Sequence, residues 1–202
     1  MLGKNISIDE MTIGFQGMHQ DKKRITYKTE GDGFQCDALC DEGYTYQVYF
    51  RNDPAETKYI DMGLSPLHSR VLSLLDTVKD KYHMVGMDNL YNSVAFCKAC
   101  YMHPNKILAQ GKCRKGGRVL PKEVIQEVVN SKKALRDKRG TVKAAVLQGD
   151  TNCVNLVASS IYDTQPVHFL SMVCDTIKWV KKKKVYNVDT GEIEDLDFLR
   201  LN

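Results

Sequence analysis

No apolar run in these 202 residues approaches the roughly 18 to 20 needed to cross a bilayer, and the first residues lack a basic segment followed by an apolar core. These absences point away from a membrane-spanning or secreted chain and toward a soluble intracellular one. The seven cysteines are odd in number and show no framework spacing, so reduced thiols in the cytosol or nucleus are expected in place of a disulfide scaffold. No internal repeat or low-complexity segment is present. Neither charge sign dominates: a net charge of +4 is too small by itself to indicate a nucleic-acid partner. What is present is ordinary globular material, 43% hydrophobic and 27% charged, which argues against wholesale disorder. The length accommodates one good-sized domain or a core carrying an insertion.

Apolar periodicity separates the elements. Ile6 to Phe15 alternates as a strand. "FQCDALCDEGYTYQVYF" holds two β-rich runs around Asp41, Glu42 and Gly43, a short polar turn ending in glycine, so residues 5–50 are expected to form three antiparallel strands. In "LSPLHSRVLSLLDTVKD", Leu64, Leu67, Val71, Leu74, Leu75 and Val78 recur at helical spacing, with Ser65 as N-cap and Pro66 at the first helical position. "YHMVGMDNLY" reads as a short buried strand ending at Asp88 and Asn89. "NSVAFCKACYM" reads as a second helix capped by Asn92 or Ser93, and "KILAQG" as a further strand. Helical crossovers imply parallel pairing, so the expected fold is α/β with a mixed sheet, antiparallel in its first half.

Beyond Gly111 the glycine-rich, basic "GKCRKGGRVLP" marks a boundary. "PKEVIQEVVNSKKALRDKRG" is predicted helical in its first half, with Val124 and Val128 on one side. From Thr141 the texture is β: a hairpin around Gly149 to Asn152, then "VHFLSMV" and "KKVYNVDTGEI". The expected division is a core over 1–111, a β-rich insertion over 112–190, and the start of a return to the core over 191–202.

Asp9 interrupts one apolar strand and Asp88 ends another, and ligands of α/β sheets gather at strand ends. Two carboxylates delivered from different strands suit magnesium or manganese, hard ions that take oxygen ligands and keep positions for water and phosphate. Paired ions roughly 3.5 to 4 Å apart activate an attacking hydroxyl and stabilise the leaving oxygen in phosphodiester transfer. The bland alternative makes Asp9 a solvent-facing strand residue and Asp88 a helix N-cap or turn residue. Glu10, on the opposite face from Asp9, reads as an exposed or structural carboxylate.

Basic residues cluster at Lys22, Lys23 and Arg24, at Lys132, Lys133, Arg136, Lys138 and Arg139, and at Lys181 to Lys184. Each cluster reads either as a solvated face or as phosphate contacts. The first, with Lys28, lies just past the Asp9 strand and is the best candidate for DNA binding, because phosphate contacts position DNA without reading its sequence. The last also suits an edge strand, where lysines block unwanted pairing.

Several ordered segments carry a more specific signal. "ISIDEMTIGFQG", "KRITYKTEGDGFQCDALCDEGYTY" and "MDNLYNS", followed by "RGTVKAAVLQGD", "YDTQPVHFLSM" and "VYNVDTGEIEDLDFLRLN", resemble the catalytic segment of piggyBac-type transposases and of the transposable element-derived proteins descended from them. The likeness covers nearly the whole chain. It implies an RNase H-like mixed sheet flanked by helices and interrupted by a β-rich insertion, with three aspartates binding two magnesium ions. It implies a DDE/D-type enzyme: family members nick DNA at transposon ends, use the freed hydroxyl to cut the second strand, and integrate at TTAA sites. By position Asp9 matches the first catalytic, metal-binding aspartate, and Asp88 the second, in the family's Asp-Asn pattern. The implied cofactor is Mg2+ or Mn2+. The implied partners are DNA and a second copy of the chain, without a membrane, and the implied location is the nucleus.

In that family the third aspartate follows the insertion in a Gly-Gly-Val-Asp type segment, and the sequence stops at Asn202 before any such segment. Asp189, Asp195 and Asp197 lie outside the motif and are not given its role. Metal binding is expected to be weakened, since ligand count and geometry set both affinity and the in-line arrangement. The chain is accordingly expected to be a fragment or degenerate copy that does not cut by itself. The alternative is a catalytically silent DNA-binding or partner-binding protein, which needs the basic segments but not the acids. Cys36 with Cys40 and Cys97 with Cys100 admit a four-cysteine zinc site, but a strand and a helix carry them without a knuckle turn, so packed thiols are expected. His19, His83, His103 and His168 show no nucleophile or ligand pattern. Trp179 either packs in the insertion or stacks on a base.

Overall fold

In the computed structural model the described residues are 2–24, 31–55, 57–115, 120–146, 156–173, 179–186 and 192–200, with 179–186 and 194–200 described by their backbone. Strand β1 (Asn5–Gly14) forms where apolar and polar residues alternate: Ile6 and Ile8 are buried, while Ser7 and Asp9 are exposed. Strand β3 (Asp32–Asp41) runs antiparallel to it, placing Ala38 opposite Asp9 and Asp37 opposite Glu10. The far edge of β3 carries the short β2 (Lys23–Arg24) and β4 (Tyr44–Phe50). Between β3 and β4, Glu42 and Gly43 sit at φ 47° and 83°. Both angles are positive, as a two-residue loop needs to match the strand twist.

Helices α1 (Thr57–Asp61) and α2 (Pro66–Leu75) follow. Ser65 accepts the amide of His68 at 3.2 Å, and Pro66 occupies a first-turn position whose N–H would have no helical partner. The helical spacing of Val71, Leu72, Leu74 and Leu75 buries them in one core with Ile6, Ile8 and Leu39 of the sheet. Strand β5 (Met84–Met87) runs parallel to β1 on the side away from β3. Helix α3 (Val94–Met102), capped by Ser93, then crosses to β6 (Leu108–Cys113), parallel to β5. A Cβ at Gly111 would lie 1.9 Å from the carbonyl oxygen of Met87, so only glycine permits these two strands to close at this point. The order β4-β3-β1-β5-β6, antiparallel on one side of β1 and parallel on the other, is the expected RNase H-like mixed sheet flanked by helices.

The later strands extend that sheet. Strand β9 (Pro166–Ser171) pairs antiparallel with β6, β8 (Val157–Tyr162) with β9, and β7 (Val142–Val146) with β8, so these strands continue the sheet beyond β6. Strands β10 (Trp179–Tyr186) and β11 (Ile193–Arg200) form a second, antiparallel pair in which Lys182 faces Asp197 and Lys184 faces Asp195. The sequence predicts one strand across "KKVYNVDTGEI"; two are present, and residues 187–191 between them lie outside the described set, as does the hairpin tip at 149–152.

The helix expected in the first half of "PKEVIQEVVNSKKALRDKRG" is absent. Residues 122–124 form a turn and 125–130 are irregular, and the helix is α4 (Lys132–Lys138), started by Ser131 accepting the amide of Ala134 at 3.1 Å. Four β-branched residues, Val124, Ile125, Val128 and Val129, weaken helix formation. Tertiary bonds replace the helical ones: buried Gln126 donates to the carbonyls of Thr141 (3.2 Å) and Ser160 (3.0 Å), and the hydroxyl of Tyr162 accepts the amide of Val129. Val128 is exposed.

Candidate metal centre and nucleic-acid interface

The parallel register of β1 with β5 ends on the pair Ile8 and Met87, and the next residue on each side is an aspartate, Asp9 and Asp88. Ile8 and Met87 are buried toward the helices, so alternation turns both acids to the opposite, exposed face. Neighbouring strands lie about 4.8 Å apart. The two aspartates therefore occupy neighbouring positions on adjacent parallel strands, Asp9 midway along β1 and Asp88 just past the end of β5, where the pairing of these strands stops. Asp9 Oδ1 accepts the amide of Glu10 at 2.8 Å, and no described cation pairs with either acid.

Asp88 opens a turn, with its carbonyl accepting the amides of Tyr91 (3.2 Å) and Asn92 (3.3 Å), and Ser93 is the N-cap of α3. One buried side chain, Asn92, and one half-buried side chain, His68, fasten this turn. Asn92 Nδ2 donates to the carbonyls of Gly111 (2.6 Å) and Leu170 (3.2 Å), and the carbonyl of Tyr91 accepts from His68 Nε2 at 2.9 Å. Register continued one step past Met87 and Gly111 places Lys112, exposed on β6, in the same row as Asp9 and Asp88. The sequence offered no sign of this, because Lys112 looks like any residue of a basic loop until the strand pairing is known.

Hard oxygen donors, without an ion pair among the described residues and open to solvent, fit a magnesium or manganese ion, which is held by one or two carboxylates and keeps its remaining positions for water and phosphate. Among the described residues no group of three His, Cys, Asp or Glu side chains converges as metal ligands would. The described donor set is therefore a pair.

The early basic cluster lines an open groove of about 610 Å³ with Gly17, Met18, His19, Gln20 and Asp32. Lys22 is half-committed, 3.5 Å from Asp32 with Nζ also donating to the carbonyl of Gly17. Arg24 lies 3.8 Å from the same acid but is 80% exposed, so it remains available to a phosphate. Lys23 is exposed on β2 beside it, and Lys28 lies outside the described residues. His19 of the groove packs edge-on against Phe34 (5.2 Å between centroids), which in turn packs against Phe15 (5.1 Å).

Glu10 has the structural role expected of it: its Oε1 meets Arg51 Nη2 at 2.6 Å on the helix-covered face. Among the described residues the cysteines are thiols, with Cys40 half-buried. Cys36, Cys97, Cys100 and Cys113 are buried and unbridged, burial pushes the Cys36 thiol up, and burial pushes that of Cys113 up to about 11. A thiol raised by burial, as at Cys36 and Cys113, stays protonated and makes a poor ligand or nucleophile.

A family model described as Transposase IS4 matches residues 1–199. Among solved structures, a piggyBac transposase in a synaptic complex with hairpin DNA, determined by cryo-electron microscopy, superposes with a TM-score of 0.64 at 21% identity. The match covers 96% of this chain and 36% of that one, so the likeness concerns the fold of a part of the larger protein. No curated protein matches the sequence.

Proposed function

The chain belongs to the Transposase IS4 family, and on that premise we propose that it is the metal-binding part of a DNA strand-cleaving and strand-transferring enzyme. In this reading Asp9 and Asp88 jointly hold magnesium or manganese, while Lys22, Lys23, Arg24 and Lys28 contact backbone phosphates. The observation that supports it best is the register that ends on Ile8 and Met87 and makes the two aspartates adjacent.

A divalent ion bound there supplies polarisation of the scissile phosphate and acidification of the attacking water or hydroxyl. The residues of the chain orient the substrate around it. Asp9 and Asp88 accept the ion on the exposed face, Lys112 neutralises a non-bridging oxygen in the adjoining row, and the basic groove tracks the backbone without reading bases. A pair of carboxylates binds an ion more weakly than a triad and fixes its geometry less well, so the chain alone binds DNA without cutting it. In the same reading the DNA is a transposon end, the target is TTAA, the working unit is a homodimer and the compartment is the nucleus.

The test is a titration of the chain with Mn2+, followed by electron paramagnetic resonance of the free ion. Wild type is expected to bind, and Asp9→Asn and Asp88→Asn to lose binding. Equal binding by all three proteins refutes the shared site. If DNA affinity then survives in both variants, the catalytically silent DNA-binding protein becomes the better account. Magnesium-dependent nicking of terminal-repeat DNA by the isolated chain overturns the statement that it does not cut.

A further inference from the structure

On the helix-covered face beneath Asp9 and Asp88 lies a cluster of charged groups that apolar packing does not require. Asp37 on β3 is 0% exposed. Its Oδ1 accepts from Arg51 Nε (3.0 Å), from Arg51 Nη2 (2.8 Å) and from the hydroxyl of Tyr91 (2.8 Å), another residue with 0% exposure. Arg51 Nη2 also meets Glu10 Oε1 at 2.6 Å, and Arg70 of α2 places Nε 3.9 Å from Asp37 Oδ2, neither of those last two atoms having a hydrogen bond among the described residues. Two acids and two guanidiniums make the group neutral. Even so, a buried ion cluster is commonly no more stable than apolar side chains of the same volume. Stability is therefore a weak reason for its presence, and its location offers a better one.

Glu10 directly follows Asp9. Tyr91 lies three residues after Asp88, and its amide closes the Asp88 turn at 3.2 Å. The bonds from Glu10 through Arg51 and Asp37 to Tyr91 thus run under the sheet from the strand that carries one aspartate to the turn that carries the other, by way of β3. We propose that Asp37, Arg51 and Tyr91 are positioning residues that fix the separation of Asp9 and Asp88 for a shared divalent ion, an inference that rests on the metal-binding reading above. The chemistry suits the task. The guanidinium is a rigid planar fork, charge-assisted bonds are the strongest available, and a fully buried tyrosine has little rotameric freedom. Burial, followed by the bond to Asp37, pushes the Tyr91 hydroxyl well above its ordinary range, which keeps it a donor. Groups that orient metal ligands from behind change metal affinity when they are removed, although they never touch the ion.

The test uses the whole chain, Mn2+ titration, and thermal unfolding in EDTA. Tyr91→Phe keeps the ring and removes the hydroxyl; Arg51→Lys keeps the charge and removes the fork. Each is expected to weaken Mn2+ binding about tenfold in protein that is still folded. A purely structural cluster gives the opposite pattern, with lower unfolding midpoints and unchanged Mn2+ affinity, and that result overturns the proposal. If Tyr91→Phe does not fold, Arg51→Lys decides alone. Failure of the wild type to bind Mn2+ overturns the metal-binding reading and this proposal with it, whereas wild-type affinity in the variants overturns this proposal only.

Discussion

At the scale of residues, Asp9 and Glu10 are neighbours in sequence with opposite occupations, because a strand sends consecutive side chains to opposite faces. Glu10 is spent on Arg51, whereas Asp9 stands exposed next to Asp88 in the register and makes no ion pair among the described residues. Like charges on adjoining strands repel, and functional sites commonly cost stability. Asp9→Asn is therefore expected to raise the thermal midpoint in EDTA while removing Mn2+ binding; a lowered midpoint contradicts this account. Asp76 poses a different electrostatic problem. Burial alone would raise its carboxyl, but donors from Lys58 Nζ (2.8 Å), Tyr59 Oη (2.6 Å) and His103 Nε2 (3.0 Å) outweigh burial and hold it below the usual carboxylate range. Tyr59, pushed up to about 12 by burial and then by Asp76, remains a donor throughout. A depressed folded pKa contributes stability that is full above the unfolded value of about 3.9 and is lost as pH falls through the lower folded value. Urea unfolding from pH 7 to pH 3 is expected to show that loss, and Asp76→Asn to flatten it.

At the scale of elements, the caps matter most where they adjoin the candidate site. Ser93 accepts the amide of Phe96 at 3.2 Å and starts α3 directly after Tyr91 and Asn92. Ser93→Ala is expected to cost about 1 kcal/mol in urea unfolding. The elements up to Gly111 were legible because their signals are local: alternation at Ile6 and Ile8, Ser65 with Pro66, and a glycine-ended turn at Gly43. The reading of the first half of 121–140 as helix failed because tertiary bonds to Gln126 outweighed its apolar spacing. Asp9 was visible as an acid interrupting an apolar strand and Asp88 as one ending another. Asp37 was not, since its partners lie 14 and 54 residues away and a lone acid inside a strand resembles a surface residue until both are placed. Lys112 escaped notice for the same reason: only register brings it beside Asp88.

At the scale of the whole molecule, the basic groove and the acidic pair occupy separate parts of one sheet, so DNA affinity and metal affinity should separate by mutation. Replacing Lys23 and Arg24 by alanine is expected to lower DNA affinity and to flatten the slope of log K against log salt by about 0.9 for each phosphate no longer neutralised, whereas Asp88→Asn leaves the slope unchanged. Fluorescence anisotropy across a salt series measures both. The sheet itself has a further consequence. Strands β1 and β5 are each paired on both sides, by β3 and β6 as well as by each other, with the added strands β9, β8 and β7 lying outside them. Fraying from either border must pass through other strands before it reaches Ile8 or Met87. The amides of these two residues should accordingly be among the slowest to take up deuterium, persisting until global unfolding, so that the aspartates keep their relative placement through every partial opening the protein undergoes.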